Sequence, residues 1–393
     1  MNTIEKFNEH VAPTYGRYDL VLDKGEGRTA TAEDGKTYID FGSGIGTNSL
    51  GYCNDKWVEA VCAQARSIQH TSNYYYTKVQ AEFASKLCEA AGYDKVFFGN
   101  SGAEANECAI KVARKYSFDK YGKDAERNII VTLVNSFHGR TIATLSATGQ
   151  EIFHNYFFPF VEGFVNAKAN DIDDLKRVLD ENDGKVCAVM FEFVQGEGGV
   201  ISLDKEYINA IFEECGKRDI LTVADEVQTG VGRTGALLTS QLFGVKPDIT
   251  TLAKGLAGGV PIGACLMSEK TSGVLTKGTH GSTFGGNPLA CAGGNAVLDT
   301  VLSEGFLDEV CQKGYYLYQK LMALDEVENV TGTGLMLGVL FKNKKAADVC
   351  KACLDNGLLV LTAKEKLRFL PPLTITYEEI DKGLAILEKV LSE

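Results

Sequence analysis

Two charged residues stand where the surrounding pattern predicts burial. Asp225 ends the apolar run from Ile220 (ILTVAD), and Lys254 is the only charge between Ile249 and Met267. A lone ammonium in an apolar setting tends to shed its proton, which turns a lysine into a nucleophile suited to Schiff-base chemistry. A salt bridge tying two strand ends together is the plain structural alternative. The interval between the two residues matches one strand–helix–strand unit, so both are predicted at neighbouring strand C-termini, where open α/β sheets bind ligands.

A third feature is Gly99 to Glu104 (GNSGAE), where the strand candidate KVFF runs through glycines into a helical pattern. Free backbone N–H groups and the positive dipole end of the helix make this turn an anion site. A simpler role is also open: Ser101 caps the helix, and Glu104 completes a capping box. Taken together, an anion cradle, an aldehyde-trapping lysine and a carboxylate able to keep a pyridine nitrogen protonated are the three requirements of pyridoxal phosphate. Competing motifs are weaker. Gly230 to Gly235 (GVGRTG) spells a dinucleotide fingerprint, but its glycines begin well past Ala224 and the next acid, Asp248, is too close. The five histidines form no H-E-x-x-H or close pair, which leaves no metal site to assign. No G-x-S-x-G or Walker A sequence occurs. His138, in FHGRT, suits either a base or a structural donor.

The elements that must position these groups read as α/β. Lys95–Phe98, Asn128–Leu133, Val186–Phe193, Ile220–Ala224 and Ile249–Ala253 are strand candidates, several apolar on both faces as in a covered parallel sheet. Glu104–Tyr121, Ile172–Glu181 and Lys205–Arg218 carry helical patterns long enough for crossovers. Short strands near Gly27–Phe41 and the alternating elements of the last hundred residues suggest a smaller second domain built from both chain ends. The expected division is residues 1–50 joining the small domain, 51–290 as the large domain, and 291–393 as the rest of the small domain.

Composition narrows the partners. The chain has 393 residues, 45% hydrophobic and 23% charged, with a formal charge of −12 and no basic tract. That balance disfavours nucleic acid and anionic membranes. The first ten residues lack a signal-peptide apolar stretch, and Ile249–Met267 is broken by Lys254, Pro261 and glycines, so a cytoplasmic protein is expected. Eleven scattered cysteines fit reduced core positions; the CKAC pair, Cys350 and Cys353, falls in a helical pattern with no second pair for zinc.

Six segments carry a resemblance: NSGAEANE from Asn100, FHGRT from Phe137, QGEGG from Gln195, ADEVQTG from Ala224, AKG from Ala253 and GSTFGGNP from Gly281. Along nearly its whole length the chain resembles the class III pyridoxal-phosphate aminotransferases, most closely the acetylornithine aminotransferases. The resemblance implies fold type I, with a mostly parallel central sheet in a large domain. It implies that Lys254 forms the Schiff base, Asp225 pairs with the pyridinium nitrogen, and Ser101, Gly102 and Ala103 hold the phosphate. It also implies that Phe137 stacks on the ring beside His138, Gln228 touches the phenolic oxygen, and Thr283 reaches the phosphate of the other subunit in a homodimer.

For substrates, the resemblance implies Arg368 for the α-carboxylate of glutamate and Arg140 for the carboxylate farther from the reacting amine. Glu197 would mask Arg368 while an ω-amino donor binds; Tyr15 and Ser282 would lie near the substrate. The implied reaction moves the terminal amine of N2-acetylornithine to 2-oxoglutarate, giving N-acetylglutamate 5-semialdehyde and glutamate, in arginine synthesis. Ornithine enzymes carry tyrosine where Ile45 stands and tryptophan where His138 stands, which favours acetylornithine. Ornithine, succinylornithine, N-succinyldiaminopimelate, acetyllysine and 4-aminobutyrate remain alternative donors, and a glutamate-semialdehyde aminomutase shares the fold. The chain departs from the family pattern at Ala103 (commonly threonine), Phe193 (commonly proline) and Tyr74, which opens the question of pocket shape.

Overall fold

The computed structural model describes residues 1–393. Its centre is a seven-stranded sheet in the order Lys95–Gly99, Gly263–Met267, Ile249–Leu252, Leu221–Asp225, Val186–Phe191, Ile129–Leu133, Phe164–Ala167. All neighbours are parallel except Gly263–Met267, which runs antiparallel to both strands beside it. The all-apolar runs have the cause inferred from sequence. Ala188 and Met190 face Cys108, Val112 and the rest of the Gly102–Tyr121 helix, whereas Val189 and Phe191 face Leu175 and Ile208 of helices Ile172–Glu181 and Lys205–Arg218. Every residue of Val186–Phe191 and of Leu221–Asp225 is therefore buried.

Two expectations change. Between Asp225 and Lys254 the connection is mostly tight turns, with one short helix, Thr239–Phe243, in place of a long crossover helix. Buried Glu226 organises that connection by accepting from the backbone N–H groups of Thr239 (2.5 Å) and Ser240 (2.9 Å). The antiparallel strand Gly263–Met267 and the edge strand Phe164–Ala167 carry no distinguishing periodicity and were absent from the sequence-based set.

The chain ends meet. Strands Leu22–Glu26, Thr29–Ala32 and Thr37–Asp40 form a sheet whose fourth member is Leu358–Leu359, parallel to Thr37–Asp40. A second, antiparallel sheet holds Val327–Thr333, Met336–Phe341, Lys366–Phe369 and Leu361–Ala363. The dinucleotide-like Gly230–Gly235 segment is a buried turn, not a strand-to-helix phosphate loop; Arg233 there donates to the carbonyls of Leu335 (3.0 Å) and Pro371. All eleven cysteines are free, and Cys350 and Cys353 are buried on the helix Ala346–Asp355. No helix is long and apolar enough to cross a membrane.

Candidate active site

Parallel pairing sets Asp225 opposite Thr251, and the chain then leaves the sheet through Ala253 into the short turn Lys254–Ala257. Lys254 sits at φ 44°, a left-handed conformation that a lysine adopts only under constraint. The constraint is visible: Trp57 Nε1 donates to Ala257 O at 2.9 Å and Ser49 Oγ to Gly255 O at 3.0 Å. Lys254 lines a cavity of about 400 Å3 at the C-terminal ends of the parallel strands. Burial, against the partly compensating charge of Glu197, pushes its ammonium down to about 8. It makes no ion pair with Asp225, so the salt-bridge alternative is set aside.

Asp225 is engaged differently. Its Oδ2 accepts from Asn106 Nδ2 and from His138 Nδ1, both at 2.8 Å, and its Oδ1 accepts from the Val227 N–H at 3.0 Å. Asn106 is held in turn by Thr251 Oγ1 at 2.7 Å and also donates to His138 O at 2.8 Å. Asp225 is buried, and these contacts satisfy the polar atoms of its carboxyl group. His138 Nε2 and Glu192 Oε2 are buried with no hydrogen-bond partner. Burial, then the charge of Asp225, pushes the Glu192 carboxyl well above the ordinary carboxylate range. Asn106 and Glu192 were not singled out in the sequence. An asparagine inside a helix carries no functional signal, whereas Glu192 interrupts the apolar run Val186–Phe193 as Asp225 ends its own, and the same argument from a charge in a buried strand points to it.

Ser101 caps the Gly102–Tyr121 helix, its Oγ accepting from Glu104 N at 3.2 Å. The capping box is not completed as expected: the Glu104 carboxylate turns to Asn100, taking its backbone N–H and, at 3.2 Å, its Nδ2. Ser101, Gly102 and Ala103 all line the cavity. A Cβ on Gly102 would meet Val227 Cγ1 at 2.8 Å, so glycine is what allows the two walls to approach this closely.

Two arginines stand at the site. Arg368 is buried and donates through Nη1 to Glu197 Oε1 at 2.6 Å and to Gln228 Oε1 at 3.1 Å. Burial opposes the Glu197 charge, but Arg368 outweighs it and holds that carboxyl below its ordinary range. Gly196 makes room for the cluster, since a Cβ there would lie 2.2 Å from Gln228 Oε1. Arg140 is exposed at the cavity wall and has no carboxylate in ion-pair range; its guanidinium lies over the rings of Phe137 (5.3 Å) and Phe153 (4.1 Å).

The cavity thus joins Lys254, Asp225, Ser101, Gly102, Ala103, Phe137, His138, Gln228, Arg140 and Glu197. It adds Thr47, which the sequence did not mark. Four expected residues lie outside its lining, and the first, Arg368, reaches the cavity only through Glu197 and Gln228, which do line it. Tyr15 is exposed beneath Arg17, with 5.5 Å between guanidinium and ring centre. Ser282 acts behind the wall, its Oγ accepting from Asn100 Nδ2 (3.2 Å) and Gly285 N (3.0 Å). Thr283 is exposed next to it.

Pyridoxal phosphate can be tested against these atoms. A helix N-terminus with a glycine-narrowed wall suits its phosphate, a buried carboxylate suits a protonated pyridine nitrogen, and a lysine with a depressed pKa suits its aldehyde. The residues fit the group. His138, Glu192 and Asp225 also bring ligand-type atoms within 4.8 Å of one another, with His138 Nδ1 engaged by Asp225 Oδ2 at 2.8 Å.

Comparison with known proteins agrees with this geometry. The chain is 53% identical over 385 residues to the acetylornithine aminotransferase of Haemophilus ducreyi, covering 98% of this chain and 97% of the relative. Its fold superposes on the ornithine aminotransferase of Toxoplasma gondii ME49 with a TM-score of 0.94 at 32% identity, covering 99% and 94% of the two chains. A second structure of the Toxoplasma gondii enzyme has PLP at partial occupancy in its active site. The acetylornithine aminotransferase of Elizabethkingia anophelis gives a TM-score of 0.88 at 34% identity, covering 99% and 98%. With residues 10–391 matched by the aminotransferase class-III family, the chain belongs to that family of pyridoxal-phosphate-dependent aminotransferases.

Proposed function

We propose that the enzyme transfers the terminal amine of N2-acetylornithine to 2-oxoglutarate, yielding N-acetylglutamate 5-semialdehyde and glutamate, in arginine biosynthesis. The observation that carries this reading is the pair of arginines in opposite states: Arg368 closed by Glu197 at 2.6 Å, Arg140 open. An ω-amino donor has its carboxylate far from the reacting amine, so it needs the open arginine and must not be drawn to the other. The high identity to a relative named acetylornithine aminotransferase supports the same donor.

In this reading Ser101, Gly102 and Ala103 would hold the cofactor phosphate, Phe137 would hold its ring, and Asp225, oriented by Asn106 and His138, would keep its ring nitrogen protonated. Gln228 serves the phenolic oxygen. When bound, pyridoxal phosphate supplies an aldehyde to carry the amine and a ring that withdraws electrons from the carbon bearing it. Lys254 would act at its Nζ, the group placed to take up and release the proton of the amine-bearing carbon; a pKa near 8 suits both directions near neutral pH. Arg140 forks the distal carboxylate of either substrate. Glutamate and 2-oxoglutarate bring a second carboxylate, which displaces Glu197 and engages Arg368.

The working form is read as a homodimer in which exposed Thr283 reaches the partner's cofactor phosphate. Exposed Tyr74, Tyr75, Tyr76 and Phe284 beside it support a buried interface there. Asn73 links the two segments, donating to Ser282 O (2.9 Å) and Gly285 O (3.0 Å). The shared sheet of Thr37–Asp40 and Leu358–Leu359 supports a small domain made from residues 1–50 and 291–393 around a large domain of 51–290. Eleven free thiols suit a cytoplasmic setting.

The test is single-turnover spectroscopy of the cofactor-loaded enzyme mixed separately with N-acetylornithine, ornithine, succinylornithine and 4-aminobutyrate. Fast conversion of the cofactor to its aminated form by N-acetylornithine alone is expected. A preference for another donor would keep the chemistry and replace the pathway.

A further inference from the structure

Phe153 does not line the cavity, yet its ring is the closer of the two on which the Arg140 guanidinium rests, at 4.1 Å against 5.3 Å for Phe137. The ring is itself held. It meets Phe137 edge-on, with centroids 5.9 Å apart and planes at 75°. The short turn Glu151–Phe153 that carries it is anchored on both sides, by Gln150 Nε2 donating to Ser136 O at 3.1 Å and by His154 Nε2 against Leu145 O at 2.8 Å.

An aromatic face and a carboxylate restrain an arginine in different ways. A carboxylate occupies the guanidinium N–H groups and cancels the charge, as Glu197 does for Arg368. A ring attracts the cation through its quadrupole, restricts a long flexible side chain, and leaves every in-plane donor free for an incoming carboxylate. We propose that Phe153 is a positioning residue that sets the preference for substrates with a carboxylate distal to the reacting amine, by holding Arg140 oriented and unpaired beneath its guanidinium plane. The proposal rests on the reading of Arg140 as the fork for that carboxylate.

The experiment compares two amines in the donor half-reaction of the cofactor-loaded enzyme: N-acetylornithine and N-acetylputrescine, the same molecule without the carboxylate. Phe153→Leu keeps apolar bulk and removes the quadrupole. It should lower kcat/KM for N-acetylornithine about two- to fivefold, mainly through KM, as expected for loss of an exposed cation–π contact. N-acetylputrescine should be unaffected, and Phe153→Tyr should restore the wild-type ratio. Phe153→Met serves the same purpose should the leucine variant fail to fold. Equal losses for both amines would mean a merely structural ring and would overturn the proposal, as would an unchanged ratio. Arg140→Leu separates the two layers of the argument. If it collapses the ratio while Phe153→Leu does not, only the role of Phe153 falls; if neither moves the ratio, the reading of Arg140 falls and takes the proposal with it.

Discussion

The two arginine neighbourhoods use the same side chain under opposite physical conditions. At Arg368 the guanidinium is buried, bound to Glu197 and Gln228, with Nε left without a partner. A buried cation in this state cannot lose its carboxylate without receiving another, because an uncompensated buried charge costs about 3–5 kcal/mol. At Arg140 the guanidinium is exposed, rests on rings, and can exchange water for a carboxylate at little cost. The difference separates specificity into two thresholds. On the proposed reading, one carboxylate suffices at the open end, whereas only a substrate with a second carboxylate near the reacting carbon would replace Glu197 at the closed end.

The largest expected effect sets the zero of this comparison, because the proposed role of Lys254 serves both ends equally. Lys254→Ala should lower both half-reactions together by at least about 10⁴-fold, as loss of a nucleophile and proton carrier implies. It should also abolish the borohydride-reducible link while cofactor still binds through Asp225 and the Ser101–Ala103 turn; a surviving covalent adduct would refute the assignment. Arg368→Leu should break the symmetry. Truncating one partner of a buried charge pair removes about 3 kcal/mol, on the order of 10²-fold, from the 2-oxoglutarate half-reaction. The N-acetylornithine half-reaction should stay near wild type, and equal losses in rapid-mixing measurements of the two would contradict the division.

Glu197→Ala should sharpen the same contrast with a smaller effect. With its partner gone, Arg368 becomes an open arginine, and ornithine, which carries an amine beside its α-carboxylate, can present the wrong end. Product analysis should show α-attack rising to a share comparable with ω-attack, a change of about tenfold in partition for roughly 1.4 kcal/mol. Unchanged regiochemistry would remove Glu197 from the gate.

Much of this was legible in the sequence, for a physical reason. Lys254 and Asp225 stand out because a charge in a two-face-buried strand region is costly, so the apolar pattern itself draws attention to the exception. Ser101 to Ala103 were legible because strand, glycine and helix pattern fix an N-terminus. Helices Ile172–Glu181 and Lys205–Arg218 follow from periodicity alone. Arg140, Arg368 and Glu197 came from resemblance, since an arginine beside apolar residues reads equally well as a surface side chain. What stayed hidden depends on contacts between distant segments. Asn106 joins Asp225, His138 and Thr251 across three elements, and Phe153 meets Arg140 only once the Glu151–Phe153 turn has folded back. The direction of Gly263–Met267 was hidden too, because a fully buried strand reads the same parallel or antiparallel.

The smallest expected effect concerns pH, and it again sets the centre of the site against its closed end. Lys254 is held near 8 by burial, so the neutral amine fraction rises through that value, whereas an ordinary lysine would stay charged until beyond 10. Uptake of pyridoxal phosphate by the cofactor-free protein, followed by stopped-flow absorbance, should therefore quicken about fivefold between about pH 7 and 8 and level off above about 9. The Glu197 carboxyl is displaced in the other direction, below its ordinary range, by Arg368. It stays ionised throughout that window, and the gate stays shut while the lysine titrates. The ratio of ω- to α-attack on ornithine should accordingly remain flat where uptake changes. A ratio that drifted with the same midpoint would mean that Lys254 and the Glu197–Arg368 pair titrate as one unit, and the two ends of the cavity would no longer be independent.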